Sequence, residues 1–184
     1  IDGQAHSEYI FVRANGFDAI ERPLIVAHLD NTAVYVNGDA TTGTLIATLS
    51  AGEYISINGS YYSGPLPGGN MYVWTSKTAF AYQGIGGSDN EANQELFFVP
   101  PLNCSTPKTV NNIPFIEKIG SRSFITNSGL NIVTEINADL ELSINGVIYP
   151  ISGLPLGIIA SVANNVTGNS NFQTYTIIGL KGNI

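Results

Sequence analysis

His28 and Asp30 stand two residues apart at the end of the apolar run Leu24-Ile25-Val26-Ala27. On a strand such residues share a face, so an imidazole and a carboxylate would sit side by side. A Ser-His-Asp hydrolase needs a third group as well, a nucleophile on a strained elbow of the form G-x-S-x-G. No such elbow occurs, and Gly87-Ser88 has nothing that ties it to His28. Zinc sites need several closely spaced His, Cys or carboxylate ligands, and two His and one Cys do not supply them. Gly84-Ile85-Gly86-Gly87 carries no Lys and leads into no helix, so it is no phosphate loop. These residues predict a protein that is not an enzyme.

Oxygen ligands are better represented. The run Ser-Asp-Asn-Glu-Ala-Asn-Gln-Glu at 88–95 places Asp89, Glu91, Asn93 and Glu95 at alternate positions. Calcium takes six to eight oxygens from loops of this kind, so these four are the candidate Ca²⁺ ligands, although the spacing is not that of an EF-hand; a solvated acidic loop is the other reading. Asp30, Asn31 and Asp39 form a second oxygen-rich place, which side-chain caps on turns explain without a metal.

Aromatic residues offer the other chemistry. Tyr61, Tyr62, Tyr72, Trp74 and Tyr82 crowd one stretch of the chain. Tyr and Trp rings stack on sugar faces while their OH and NH groups bond hydroxyls. Tyr61 and Tyr62 fall in the Gly- and Pro-rich loop 59–69, where exposure is expected. With Trp74 they are the candidate ligand-binding residues. The alternative for Tyr72, Trp74, Phe80 and Tyr82 is one shared core face of a hairpin formed by 71–74 and 79–82.

The elements that would position these residues read as strands. Apolar and polar residues alternate with period two through most of the chain, and long helical periodicity is missing. Strands are expected at 9–14, 24–28, 33–37, 45–49, 53–57, 71–74, 79–82 and 96–100. Others follow near 113–117, 122–126, 132–136, 140–144, 147–151, 158–162 and 173–178. The run 24–28 is apolar on both faces and should be central in its sheet. These fifteen candidate segments, read as about 12 to 14 strands at spacings near ten residues, predict an all-β, antiparallel sandwich.

Composition narrows the setting. Charged residues are 11% of the 184, against about 25% in ordinary soluble domains. Asn, Ser, Thr and 20 Gly fill the difference, a surface common in secreted all-β proteins. Net charge is −7 with seven basic residues, which argues against nucleic acid and anionic membranes as partners. No apolar run is long enough to insert as a membrane helix. Cys104 stands alone, so no internal disulfide forms. The start at Ile1-Asp2-Gly3, without a signal peptide, reads as that of a segment processed or excised from a longer protein.

The chain also resembles itself. Residues 24–38 (LIVAHLDNTAVYVNG) and 131–146 (NIVTEINADLELSING) each give a strand, an Asp/Asn-rich turn, an alternating strand and Asn-Gly. Both Asn-Gly pairs are type I′ hairpin signals. Residues 54–59 then parallel 175–179, and Gly69-Asn70-Met71 parallels Gly182-Asn183-Ile184. Two related β units follow from this, 1–104 and 105–184, packed together, the second cut short or completed by another strand.

The segments PLIVAHLDNTAVYVNG, LSAGEYISING, NMYVWTSKTAFAYQGIGG and ANQELFFVPPL, running in order from Pro23 to Leu102, resemble the large β domain named for the N-terminal region of the IgG Fc-binding protein. Asp30-Asn31-Thr32, Ala51-Gly52-Glu53, Thr75-Ser76-Lys77, Gln83-Gly84, Asn93-Gln94 and Pro100 occupy the family's turn motifs, with Thr78-Ala79 where a Pro is usual. The resemblance covers about two thirds of the chain. It implies an extracellular, non-catalytic role in adhesion. It also implies a long bacterial cell-surface protein of the Bacteroidetes type, many of which use the type IX secretion route. The ligand would be a polysaccharide or a protein surface. Two other readings stand beside it. One is a structural or filament-forming subunit that self-associates through edge strands. The other is a carbohydrate-binding accessory of a secreted enzyme.

Overall fold

The structure is a computed structural model and describes residues 6–14, 16, 18–84, 96–102, 107–119, 121–123 and 129–184. All its regular elements are strands, apart from two single turns of 3-10 helix. Eight strands come first: β1 (Ser7–Val12), β2 (Leu24–Ala27), β3 (Thr32–Val36), β4 (Thr44–Leu49), β5 (Tyr54–Ser56), β6 (Asn70–Thr75), β7 (Ala79–Gln83) and β8 (Phe97–Val99). They form two antiparallel four-stranded sheets, ordered β1-β6-β3-β4 and β5-β2-β7-β8. As expected, β2 is central.

Alternation decides what fills the space between the sheets. Tyr9, Phe11, Val34, Val36, Met71 and Val73 come from the first sheet, and Ile25, Ala27, Ala79, Ala81 and Val99 from the second, all buried in one core. Apolar burial of this kind is the main term holding two sheets face to face.

The hairpin expected between 71–74 and 79–82 does not form, because β6 and β7 lie in opposite sheets. The chain crosses the sandwich at 76–78. Ala79 and Ala81 point inward with Tyr9 of the facing sheet, whose hydroxyl donates to the Ala79 carbonyl at 2.6 Å. In consequence Tyr72 and Trp74 occupy the outside of one sheet, Phe80 and Tyr82 the outside of the other. The expected type I′ turn at Asn37-Gly38 is also absent. Asn37 is left-handed at φ 54°, but Gly38 at φ 159° lies outside that turn's range, and a longer loop leads to β4. Loop 59–69, expected to lack regular structure, contains a 3-10 turn (Gly59–Tyr61), capped by the Asn58 side chain accepting from the N–H of Ser60.

Eight further strands follow: β9 (Lys118–Ile119), β10 (Arg122–Ser123), β11 (Gly129–Glu135), β12 (Glu141–Ile144), β13 (Val147–Pro150), β14 (Ile159–Ala160), β15 (Asn164–Asn165) and β16 (Phe172–Ile178). β16 pairs with β11 on one side and with β14 and β15 on the other, and β12 and β13 form a hairpin. Its turn is the predicted one, with Asn145 at φ 51° and Gly146 at φ 84°. Leu142, Ile144, Ile177 and Leu180 make the buried centre of this region. No strand occupies 113–117; 114–117 is a turn with Phe115 left-handed at φ 48°, where Pro114 has no N–H to give a ladder.

The later strands pack on the outside of the first sheet. Val166 and Phe172 meet Ile10, Val12 and Tyr72 there. Fully buried Asn70 turns its Nδ2 to the carbonyls of Asn164 and Asn165, 3.3 Å each, and to Thr174 Oγ1 at 3.1 Å. The two similar segments also share a course. Each runs from a strand through a left-handed Asn (Asn31, φ 55°; Asn137, φ 62°) into a strand of a different sheet, and ends at a second one (Asn37; Asn145).

Candidate functional site: an uncharged aromatic sheet face

Because Ile25, Ala27, Ala79, Ala81 and Val99 face the interior, Leu24, Val26, Tyr54, Phe80, Tyr82 and Phe98 must face outward from the β5-β2-β7-β8 sheet. Strand register sets them in two rows. Val26 stands between Tyr54 and Phe80, while Leu24 stands between Ser56 and Tyr82, with Phe98 next to Tyr82. Tyr54 is 68% exposed and Phe98 50%; the others are half-buried by their neighbours. The Tyr82 and Phe98 rings meet edge to face at 5.8 Å, and the His28 ring stands edge-on to Phe80 at 5.9 Å. None of the four strands contains a charged residue. The result is a flat patch of rings and aliphatic side chains with tyrosine hydroxyls on it. An exposed apolar patch rimmed by polar residues marks a place of contact.

The ligand residues expected from the sequence lie elsewhere. Tyr61 and Tyr62 are half-buried against the sandwich core rather than held out in a loop. Polar anchors pull them in. The Tyr61 carbonyl accepts from Asn37 Nδ2 at 2.8 Å, and the Tyr62 hydroxyl accepts from Gln83 Nε2 at 3.1 Å. The Arg13 guanidinium lies 5.9 Å from the Tyr62 ring centre. Burial, helped by the Glu21 carboxylate, pushes the Tyr62 hydroxyl far above its ordinary range. Trp74 lies on the outer side of the other sheet, stacked on His6 at 5.4 Å with Tyr35 edge-on at 5.6 Å. The three residues therefore do not share one surface.

The groups weighed for chemistry are bound into the structure. Asp30 Oδ1 accepts the N–H of Ala51 at 2.8 Å, while His28 leans on Phe80. Asp39 Oδ1 accepts from the N–H and hydroxyl of both Thr41 and Thr42, which holds its carboxyl down to about 2. A His–Glu pair not singled out from the sequence joins His6 Nε2 and Glu8 Oε1 at 3.0 Å. The other oxygen, Glu8 Oε2, accepts the Tyr72 hydroxyl at 2.7 Å and Asn169 Nδ2 at 3.3 Å, so this carboxylate ties β1 and β6 to the later strands. Its signal in the sequence is the i, i+2 spacing of His6 and Glu8 across the start of β1. The expected calcium ligands Asp89, Glu91, Asn93 and Glu95 lie outside the described residues. Among the described residues no three His, Cys, Asp or Glu side chains gather as a metal site.

A family model described as IgGFc binding protein matches residues 4–183. The chain belongs to the IgGFc-binding protein family. No curated protein and no solved structure matches it. The family match spans both the sandwich and the later strands, so this IgGFc-binding-type domain includes the aromatic face and the region packed behind it. It is all-β, as the resemblance implied, and the family is one of typically extracellular binding domains. Among the described residues no helix is long and apolar enough to cross a membrane.

Proposed function

We propose that this domain is a non-catalytic adhesion module of a larger bacterial cell-surface protein, and that it contacts its ligand with the outer face of the β5-β2-β7-β8 sheet. One observation carries the reading: six apolar and aromatic side chains lie in register on an exposed face whose strands hold no charge. A neutral polysaccharide fits such a face, because sugar rings present C–H surfaces to aromatic rings and hydroxyls to the Tyr54 and Tyr82 OH groups. An uncharged protein surface is the second fit, supported by the family's binding character. The His–Glu pair adds no reaction to this, since its carboxylate is committed to Tyr72 and Asn169.

The test is a comparison of the domain with its Tyr54→Ser/Phe98→Ser variant on a neutral-glycan array, with immobilised immunoglobulin G Fc as the protein probe. The expected result is binding to at least one glycan that falls at least tenfold in the variant while the unfolding midpoint stays put. Binding only to the protein probe, lost in the same variant, moves the ligand to a protein and keeps the face. Binding that survives both substitutions removes the face from the function.

A further inference from the structure

Asn37 and Tyr72 are joined by a reciprocal pair of bonds. The Asn37 N–H donates to the Tyr72 carbonyl at 2.8 Å, and the Tyr72 N–H donates to Asn37 Oδ1 at 3.3 Å. The same pair recurs in the second half: the Asn145 N–H donates to the Asn183 carbonyl at 2.9 Å, and the Asn183 N–H to Asn145 Oδ1 at 3.2 Å. In the first half this pair opens the ladder between β3 and β6, which continues through Val36–Val73, Tyr35–Trp74 and Val34–Thr75. β1 flanks β6 on its other side. In the second half Ile113 flanks in the same way, exchanging both backbone bonds with Ile184 at 2.7 and 3.1 Å. Residues 183–184 thus lie between Ile113 and β12 as β6 lies between β1 and β3.

Beyond this point the β12 edge has no strand beside it among the described residues. The two-residue turn makes Ile144–Val147 the closing pair, so Ile144 and Leu142 direct their backbone bonds to β13 and the residues between direct theirs away. Ser143 and Glu141 therefore point to the same side as the Asn145 N–H, and their backbone groups meet no partner among the described residues. Leu142 and Ile144, the counterparts of Val34 and Val36, are buried at 8% exposure each. A strand laid along this edge would rest one face on an existing core.

We propose that the outer edge of β12 accepts one more β-strand, antiparallel to it and supplied in line with Ile184, a source that rests on the larger protein of the proposed function. Asn183 already holds the first rung on Asn145, and Ile184, bonded to Ile113 on its other side, sets the chain running along β12 in the right direction, which favours this source over a strand from a second molecule. The rung opposite Leu142 falls two residues after Ile184, as Thr75 follows Val73 by two opposite Val34, and the buried Leu142 beside it calls for an apolar side chain there. An open ladder edge is the ordinary site of strand addition.

The test appends Thr-Val-Thr-Val-Thr after Ile184 and compares amide hydrogen exchange with the 184-residue chain and with an extension carrying Pro at the same places. Proline cannot donate to a ladder. In the alternating extension the Ser143 amide should exchange at least tenfold more slowly than in the other two, while Asn145, already bonded, stays unchanged. Equal Ser143 exchange in all three overturns the acceptor edge. Concentration-dependent protection of Ser143 in the unextended chain, with a dimer in sedimentation, overturns the in-line source.

Discussion

The hydroxyl of Tyr9 donates to the carbonyl of Ala79 at 2.6 Å, straight across the interior of the sandwich. The two residues belong to different sheets and are both buried. This contact explains why β7 carries alanines on its inner face and large rings on its outer one. Tyr9→Phe keeps the ring and removes the bond, and should lower stability by about 1–2 kcal/mol. Ala79→Val instead crowds the same place and should cost about 1–3 kcal/mol. Urea unfolding checks both, with the midpoint falling and the slope unchanged.

Asn70 is the corresponding tie between the sandwich and the later strands. Its Nδ2 reaches the carbonyls of Asn164 and Asn165 and the hydroxyl of Thr174. Asn70→Ala takes a donor from all three, with Thr174 Oγ1 still reaching the Asn164 carbonyl at 3.4 Å, and a buried polar group that loses its partner costs about 1–3 kcal/mol. Asn70→Asp should be worse, since it turns a buried carboxylate toward two carbonyl oxygens. The expected mark is faster amide exchange in β15 and β16 than in β2 or β7. Equal acceleration in all four strands would show that Asn70 does not act at this junction.

How much of this was legible in the chain divides along a physical line. Alternation is local, so the strands, the buried pair Val34 and Val36, and the outward Tyr54 beside inward Ile57 could all be read from spacing. The partner of a strand is not local. Nothing within 71–83 says that β6 and β7 part company, because the partners that separate them, β1 and β3 for one and β2 and β8 for the other, are distant in sequence. The aromatic face is hidden for the same cause: spacing puts Phe80 and Tyr82 on one face with Tyr72 and Trp74 and Ala79 and Ala81 on the other, and only the sheet partners show that the alanine side is the inner one. Tyr61 and Tyr62 differ from expectation in the opposite direction, in exposure alone. A Gly/Pro loop predicts exposure, but Arg13, Asn37 and Gln83, distant in sequence, draw both residues inward.

Stability should fall in alkali. Burial raises the hydroxyls of Tyr9, Tyr62 and Tyr72 above their ordinary range, and the bond from Tyr72 to the Glu8 carboxylate adds to the effect there. A raised group contributes fully below its unfolded value near 10. Above that pH the unfolded chain gives up protons that the fold keeps, so the contribution is lost as pH rises. Urea midpoints from pH 8 to 12 should therefore decline past pH 10, less steeply in Tyr72→Phe. At the acid end Asp39 works the other way. Its lowered carboxyl favours the fold above the ordinary carboxylate range and stops doing so as pH falls toward 2. An Asp39→Asn variant should lose that part of the acid slope.

Gly168 and Gly146 separate backbone strain from close approach. Both have positive φ, 86° and 84°. A Cβ on Gly146 would meet open space, whereas one on Gly168 would collide with the backbone of Asn37 and Gly38. Gly146→Ala should therefore cost only the left-handed conformation, about 1–2 kcal/mol. Gly168→Ala must in addition push the 166–169 turn away from the end of β3, where neither side is a flexible side chain that can yield. Its cost should exceed that of Gly146→Ala by about 1 kcal/mol or more. The loss should also appear as faster exchange around Val166 and Phe172, which cover Ile10 and Tyr72. Equal midpoints for the two variants would mean that the turn does not rest on β3.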